Sequence, residues 1–299
     1  MFNSFNDIYE LAKKNGKKRM SVACAADETV LRACYEASQM GIVEAVLTGK
    51  RNEISPILEK LGIATDYFEI VEGKDNRDSI LKAVKLVRDG DCKFILKGFT
   101  QTADFLRGVL DKEIGLRTGR LLSHTAIVEI KKFNRIIQYT DGGMNIYPDL
   151  NAKVQILKNA IEFAHAMQIE IPNVAVLGPV EIVNPDIQEN LDGAILSKMG
   201  QRGQLGKCNV EGPLAMDIIL SKEAAEHKKL NCDVCGNTDI ILVPNLVSGN
   251  AIVKTMVYTS DIELGGVILG AKAPCLLLSR ADTLKTKLNS IALGNVVTD

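Results

Sequence analysis

Short apolar runs alternate with helix-patterned segments through the first hundred residues, and this alternation limits the fold more than any other feature. Met20–Ala23, Ala45–Leu47, Tyr67–Val71 and Cys92–Lys97 read as strands, separated by helical patterns over Asp27–Met40, Asn52–Leu61 and Asn76–Arg88. Asp27 stands before Val30, Cys34 and Ala37 at helical spacing and Gly41 follows them, so that helix has both a start and a stop signal. Repeated strand-then-helix units of this length predict an α/β fold with a parallel sheet covered on both faces.

The alternation breaks at Ser123–Ile130 and Arg135–Thr140, two β-rich runs joined through Lys131–Asn134 as a hairpin. A second domain is expected to begin there. Helices over Leu150–Met167, Ile187–Met199, Leu214–Glu226 and Asn250–Tyr258 then alternate with strands Val174–Leu177, Cys208–Val210 and Asp239–Val243. From Val267 onward the last strands and helix are expected to return to the first sheet. A length of 299 residues suits about two domains. Without a linker rich in Pro, Gly or Ser between them, short crossings around a cleft are expected.

Several function classes lose support. Lys plus Arg number 36 against 37 Asp plus Glu, and a net charge of −1 gives no general attraction to nucleic acid or an anionic membrane. Asp7 and Glu10 interrupt the N-terminus where a secretory signal needs an apolar core, and no apolar run approaches the ~18 residues of a membrane span. A cytoplasmic location is expected. The seven cysteines are expected to be reduced, with Cys24, Cys34, Cys92 and Cys275 in apolar elements. Cys232 and Cys235, with His227 upstream, form the one metal-like spacing, but no second ligand pair stands nearby. The expectation there is reduced surface thiols and no metal; His124 and His165 are read as packing residues. The chain lacks GxxxxGK[ST], lacks GxGxxG after the first strand, and lacks GxSxG. Lys198, Arg202 and Lys207 fit either a cofactor phosphate or a solvated loop.

Two places have the makings of an anion site. Cys275–Leu278 reads as a buried strand and Leu284, Leu288 and Ile291 recur at helical spacing, so Ser279 and Arg280 fall at a strand-to-helix junction. Strand carboxyl ends face the ligand crevice in open α/β sheets, where a helix N-terminus and a guanidinium suit a phosphate or acyl phosphate. Asp282 is a good N-cap there, and ordinary loop roles for Ser279 and Arg280 are the alternative. The second place follows Leu96: Lys97 and Gly98 close a strand, Thr100 and Thr102 can cap the next helix, and Arg107 lies on it. A capped surface helix with solvated cations is the alternative.

The segments EGPLAMD at Glu211–Asp217, VPNLVSGNAIVK at Val243–Lys254, GGVILGAKAP at Gly265–Pro274 and SRADTLKTKLNSIALG at Ser279–Gly294 resemble the phosphate acetyl/butyryltransferase family. ACAADETVL, LKGFTQTADFLR, GLRTGRLLSH and the NPD at Asn184 resemble its butyryl-transferring branch. The resemblance implies an enzyme that interconverts acyl-CoA plus phosphate with acyl phosphate plus CoA, short acyl and butyryl by expectation. It also implies no permanently bound cofactor, coenzyme A as a substrate, no metal, and an acyl kinase working alongside. It further implies two α/β/α domains with mostly parallel sheets and a cleft between them, isocitrate/isopropylmalate dehydrogenase-like, and a homodimer or higher homo-oligomer. By similarity, residues 1–118 and 267–299 form the first domain, with the Ser-Arg motif, and residues 119–266 the second. Arg280 would grip the phosphoryl group, Ser279 would hydrogen-bond the oxyanion or the sulfur, and Arg107 would assist on phosphate or CoA. Lys97, Thr100, Thr102, Ser123, Asn250 and Lys272 are further candidates for the lining. Acetyl-transferring relatives carry an acidic residue seven positions after the serine; here it is Thr286, and Asp282 is the carboxylate nearest in sequence. Rival readings are an acetyl- or branched-acyl-transferring enzyme, a decarboxylating 2-hydroxyacid dehydrogenase, and a non-catalytic acyl-CoA or phosphate binder.

Overall fold

Two aspartates set the rhythm of the first stretch. Asp27 accepts a hydrogen bond from the Val30 N–H at 2.9 Å, and Asp75 accepts one from the Asp78 N–H at 2.8 Å. Each caps a helix shortly after a strand. The computed structural model describes residues 2–277 and 282–298. It opens with α1 (Phe5–Asn15), β1 (Lys18–Ala23), α2 (Glu28–Gln39), β2 (Val43–Gly49), α3 (Arg51–Lys60), β3 (Glu69–Glu72), α4 (Asn76–Arg88), β4 (Phe94–Lys97) and α5 (Thr102–Val109). Gly41, at φ 79°, ends α2 in the left-handed region that glycine tolerates.

There follow β5 (Ser123–Ile130), β6 (Arg135–Thr140), α6 (Leu150–Ala166), β7 (Asn173–Leu177), α7 (Gln188–Gln201), β8 (Asn209–Leu214), α8 (Met216–Leu220), α9 (Lys222–His227), β9 (Ile240–Leu242) and α10 (Leu246–Thr259). The chain closes with β10 (Ile262–Leu269), β11 (Cys275–Leu276) and α11 (Leu284–Val296). It divides into two compact units, one of Ser4–Arg120 with Glu263–Asp299, the other of Leu121–Ile262 with Met1–Asn3.

In the first unit the strand order is β3-β2-β1-β4-β11-β10, parallel except for the β10–β11 pair. Helix α4 packs on β1, β2 and β4, while α11 packs on β4 and β11 with α1 and α2 beside it. Polar side chains fix these helices in place. Asn295 Nδ2 donates to Gly16 O at 2.9 Å and Ile42 O at 2.8 Å, and Tyr9 Oη donates to Asn289 Oδ1 at 2.6 Å. In the inserted unit the order is β5-β6-β9-β7-β8, with β5 and β6 antiparallel and the remaining pairs parallel. Its core joins Ile156, Leu157 and Ala160 of α6 to Val174 and Val176 of β7, Ile240 and Leu242 of β9, and Leu196 of α7. A buried ion pair, Lys153 Nζ to Asp192 Oδ2 at 2.5 Å, links α6 to α7.

Several elements depart from the sequence reading. Helix α1 has no counterpart among the expected elements, although Phe5, Ile8, Tyr9 and Ala12 recur at helical spacing and are all buried. The helix expected over Leu214–Glu226 is two, because Ser221 accepts from the Ala224 N–H at 3.2 Å and caps a second one. Helix α10 starts at Leu246, where Asn245 accepts from the Ser248 N–H at 2.9 Å, rather than at Asn250. Cys232 and Cys235 are joined as a disulfide and Cys235 is buried, which corrects the expectation of reduced surface thiols at this pair. The remaining five cysteines carry no bridge.

Candidate active site

In the first unit the strand order reverses direction between β1 and β4, with β2 and β3 to one side and β11 and β10 to the other. Such a switch point leaves a crevice at the strand carboxyl ends. Two short backbone bonds build its floor: Gly98 N–H donates to Ala23 O at 2.8 Å and Phe99 N–H to Cys24 O at 2.7 Å. A Cβ on Gly98 would stand 2.3 Å from Cys24 O, so this crossing requires glycine. Cys24 itself takes φ 55°.

Lys97, the last residue of β4, is buried, with Nζ 3.4 Å from Gly98 O. Thr100 is buried beside Cys24. Burial pushes the Cys24 thiol up to about 11, against the pull of a Thr100 hydrogen bond and the Lys97 charge. At neutral pH Cys24 is therefore a thiol and not a nucleophilic thiolate. Neither threonine caps α5: Gln101 holds the N-cap position without a side-chain bond, and Thr102 is the first, exposed, helical residue. Thr100 is turned inward instead.

Strand β11 pairs with β4 through Leu276 and Leu96, so Leu277 and Lys97 follow directly on neighbouring parallel strands. Ser279 and Arg280 lie outside the described residues. Asp282 is not the N-cap of α11. Thr283 accepts from the Thr286 N–H at 3.1 Å, and the two hydroxyls lie 3.0 Å apart. The Asp282 carbonyl accepts from Lys287 Nζ at 2.8 Å. Lys287 is buried on α11, and burial lowers its pKa below the ordinary 10.5 while Asp282 and Asp27 pull it back up. Lys287 thus brings the start of α11 into the electrostatic reach of Asp27, the cap of α2. Sequence reasoning passed over this lysine, yet a signal was present: Lys287 lies three residues beyond Leu284 and four before Ile291, on the apolar face.

The other candidates are dispersed. Arg107 is exposed and ion-paired with Asp104 one turn earlier. Lys272 Nζ donates to Arg88 O at 2.9 Å, at the end of α4. Ser123 and Asn250 belong to the inserted unit: Ser123 is buried and its Oγ accepts from Asn159 Nδ2 at 2.9 Å, while Asn250 is exposed on α10. Lys207 pairs with Glu170 and Lys198 bonds Gln201 at 3.1 Å, so these two cations have neighbours of their own. His165 Nε2 lies 3.0 Å from Lys207 O. Among the described residues, no three or more His, Cys, Asp or Glu converge as a metal would require, and no helix is long and apolar enough to cross a membrane.

Comparison with known proteins bears on the whole chain. Phosphate butyryltransferase from Clostridium acetobutylicum is 46% identical over 297 residues, 99% of each chain. Phosphate acetyltransferase from Thermotoga maritima is 38% identical over 289 residues, 97% of this chain and 98% of that one. The crystal structure of a branched-chain phosphotransacylase from Enterococcus faecalis V583 superposes with a TM-score of 0.84 at 27% identity, covering 94% of this chain and 100% of that one. The family model of phosphate acetyl/butaryl transferases matches residues 74–294, and the chain belongs to that family.

Proposed function

We propose that this enzyme reversibly transfers a short acyl group, butyryl, between coenzyme A and inorganic phosphate. The observation that carries the reading is the 46% identity to a phosphate butyryltransferase along essentially its full length. In the forward direction a phosphate oxygen attacks the thioester carbonyl, the C–S bond breaks, and CoA departs as thiolate to be protonated. An oxyanion develops between two anionic partners, and fixed cations and N–H groups are what lower such a barrier. Arg280 is assigned to the phosphoryl group and Ser279 to the oxyanion or the sulfur. Lys97 and Thr100 stand at the carboxyl end of β4, the strand that pairs with β11, and are assigned to the substrate with them. Arg107, Thr102, Ser123, Asn250 and Lys272 remain assigned to substrate binding.

Asp282 is assigned the proton of the CoA thiol. With Thr283 as the cap of α11, capping does not compete with that role. The isocitrate/isopropylmalate dehydrogenase-like arrangement belongs to the same proposal, supported by the mostly parallel sheets of both units. So does self-association: α10 exposes Val247, Val257 and Tyr258, the last at 82%. Catalysis without a resident cofactor, a cytoplasmic setting and consumption of the acyl phosphate by a kinase complete it.

A thiol-release assay with butyryl-CoA and acetyl-CoA, with and without phosphate, tests the function. Phosphate-dependent release, faster with butyryl-CoA, is expected. Release that ignores phosphate removes the reading, and a preference for acetyl-CoA moves the chain toward the acetyl-transferring relatives.

A further inference from the structure

The Cys232–Cys235 disulfide lies in the turn between α9 and β9, and its two halves are held very differently. On the Cys235 side the chain is fastened to three elements of the inserted unit. Gly236 N–H donates to Ile218 O of α8 at 3.0 Å. Arg135 of β6 donates to Gly236 O at 2.8 Å and to Thr238 O at 2.6 Å, while Thr238 Oγ1 donates back to Val234 O at 3.0 Å. A Cβ on Gly236 would stand 2.4 Å from the backbone nitrogen of Lys222 in α9, so the turn closes there only around glycine. Cys235 itself is 3% exposed.

Cys232 is the accessible half, partly exposed between the exposed Asn231 and Asp233. Its sulfur accepts the Cys235 N–H at 3.0 Å, a donor that stabilises negative charge on Cys232 when the bond opens. The free cysteines are different. Burial pushes the thiols of Cys34, Cys92 and Cys275 up to about 12 and that of Cys24 up to about 11, and it raises Cys208 as well. Thiols held protonated in this way exchange slowly. Nor is the bridge a strong staple: its sequence separation is 3, and the stabilisation from a cross-link shrinks with the loop it closes. In the cytoplasmic setting proposed above, disulfides are usually transient.

We propose that Cys232–Cys235 is a reversible thiol–disulfide exchange site, entered through Cys232, whose reactants are low-molecular-weight thiols and their disulfides. To open it, an external thiolate attacks Cys232 Sγ, the Cys232–Cys235 bond breaks, and Cys235 leaves as a thiolate that takes up a proton. A second external thiolate then attacks the external sulfur of the mixed disulfide, and Cys232 departs. Closing runs the same steps backward: the chain's two thiols and one external disulfide become the bridge and two external thiols, with two electrons passed outward. This chemistry stands apart from acyl transfer.

Incubation of the native full chain in glutathione buffers of graded reduced-to-oxidised ratio, with rapid alkylation in denaturant and peptide mass spectrometry, tests this. Cys232 and Cys235 are expected to pass together between bridged and alkylated, at the same ratio from either direction of approach. The four buried cysteines Cys24, Cys34, Cys92 and Cys275 should be alkylated at every ratio. Cys235→Ser is expected to trap glutathione on Cys232 about tenfold or more faster than Cys232→Ser traps it on Cys235. Circular dichroism checks that both variants keep the fold; should either fail to, the wild-type titration decides alone. A pair that stays bridged or stays open at every ratio, or trapping at equal rates in the two variants, overturns the proposal. CoA release is scored separately: a reversible transition in a protein lacking phosphate-dependent release would sink the acyltransfer reading and leave the exchange site standing.

Discussion

Lys287 donates from its buried ammonium to the carbonyl of Asp282, 2.8 Å away and five residues earlier, and so ties the start of α11 to the segment that precedes it. A buried cation is costly to hold. Because burial lowers its pKa, the unfolded chain binds a proton that the native chain has released between the folded value and 10.5, and stability rises with pH across that window. In Lys287→Met that rise should vanish. Thermal unfolding followed from neutral pH toward 10.5 is expected to show the variant at least as stable as wild type at the low end, with the gap closing upward. A variant that is less stable at every pH would contradict this.

The pair Lys153–Asp192 makes a sharper stability prediction. Removing one partner leaves the other buried and uncompensated, so Asp192→Ala should lose about 3–5 kcal/mol in urea denaturation. The double variant Lys153→Met with Asp192→Leu should recover most of that loss. Recovery of less than half would mean that the Gln188 Nε2 bond to Asp192, 2.8 Å long, matters more than the ion pair.

At the crossing of β1 and β4, Gly98→Ala should cost about 1–3 kcal/mol, since the added methyl presses on backbone and not on a side chain that can turn away. Phosphate-dependent CoA release should fall with it, because the strand ends that shape the crevice must part. A variant with wild-type turnover would detach this crossing from the site.

For the motif residues, Arg280→Ala should lower kcat by about a hundredfold or more, the scale of losing one stabiliser of a developing oxyanion. Ser279→Ala is expected to retain more activity. Steady-state kinetics with phosphate varied decides both, and an Arg280→Ala enzyme with unchanged phosphate KM and kcat would remove the guanidinium from the mechanism.

Alkylation of the unfolded, unreduced chain should label five cysteines, and all seven after reduction, which mass spectrometry reads directly. Cys232→Ser should cost about 2 kcal/mol, the entropy of so short a loop. Seven labelled thiols before reduction would show the pair open.

How far the sequence could be read follows from what sets each element. Strands flanked by capped helices, such as β1 with Asp27 behind it, are specified within a few residues and were legible to within two or three positions. Helix α10 was misplaced by four residues because Asn245, its cap, sits before an apolar run that looks the same in either setting. The cap of α11 shows the same limit from another side: Asp282 and Thr283 are both good caps, and only the backbone angles choose between them. Lys287 was overlooked because its charge suggests solvent, while its helical position places it inward.

The first unit is written in two separated pieces, and this bears on how the protein is made. As the ribosome extends the chain, residues 4–120 emerge without β10, β11 or α11, and the carbonyls of Gly16 and Ile42 must wait for Asn295. The inserted unit is complete far sooner. A nascent chain paused between these events would present an unfinished sheet edge at β4, a row of unpaired backbone groups open to pairing with another chain.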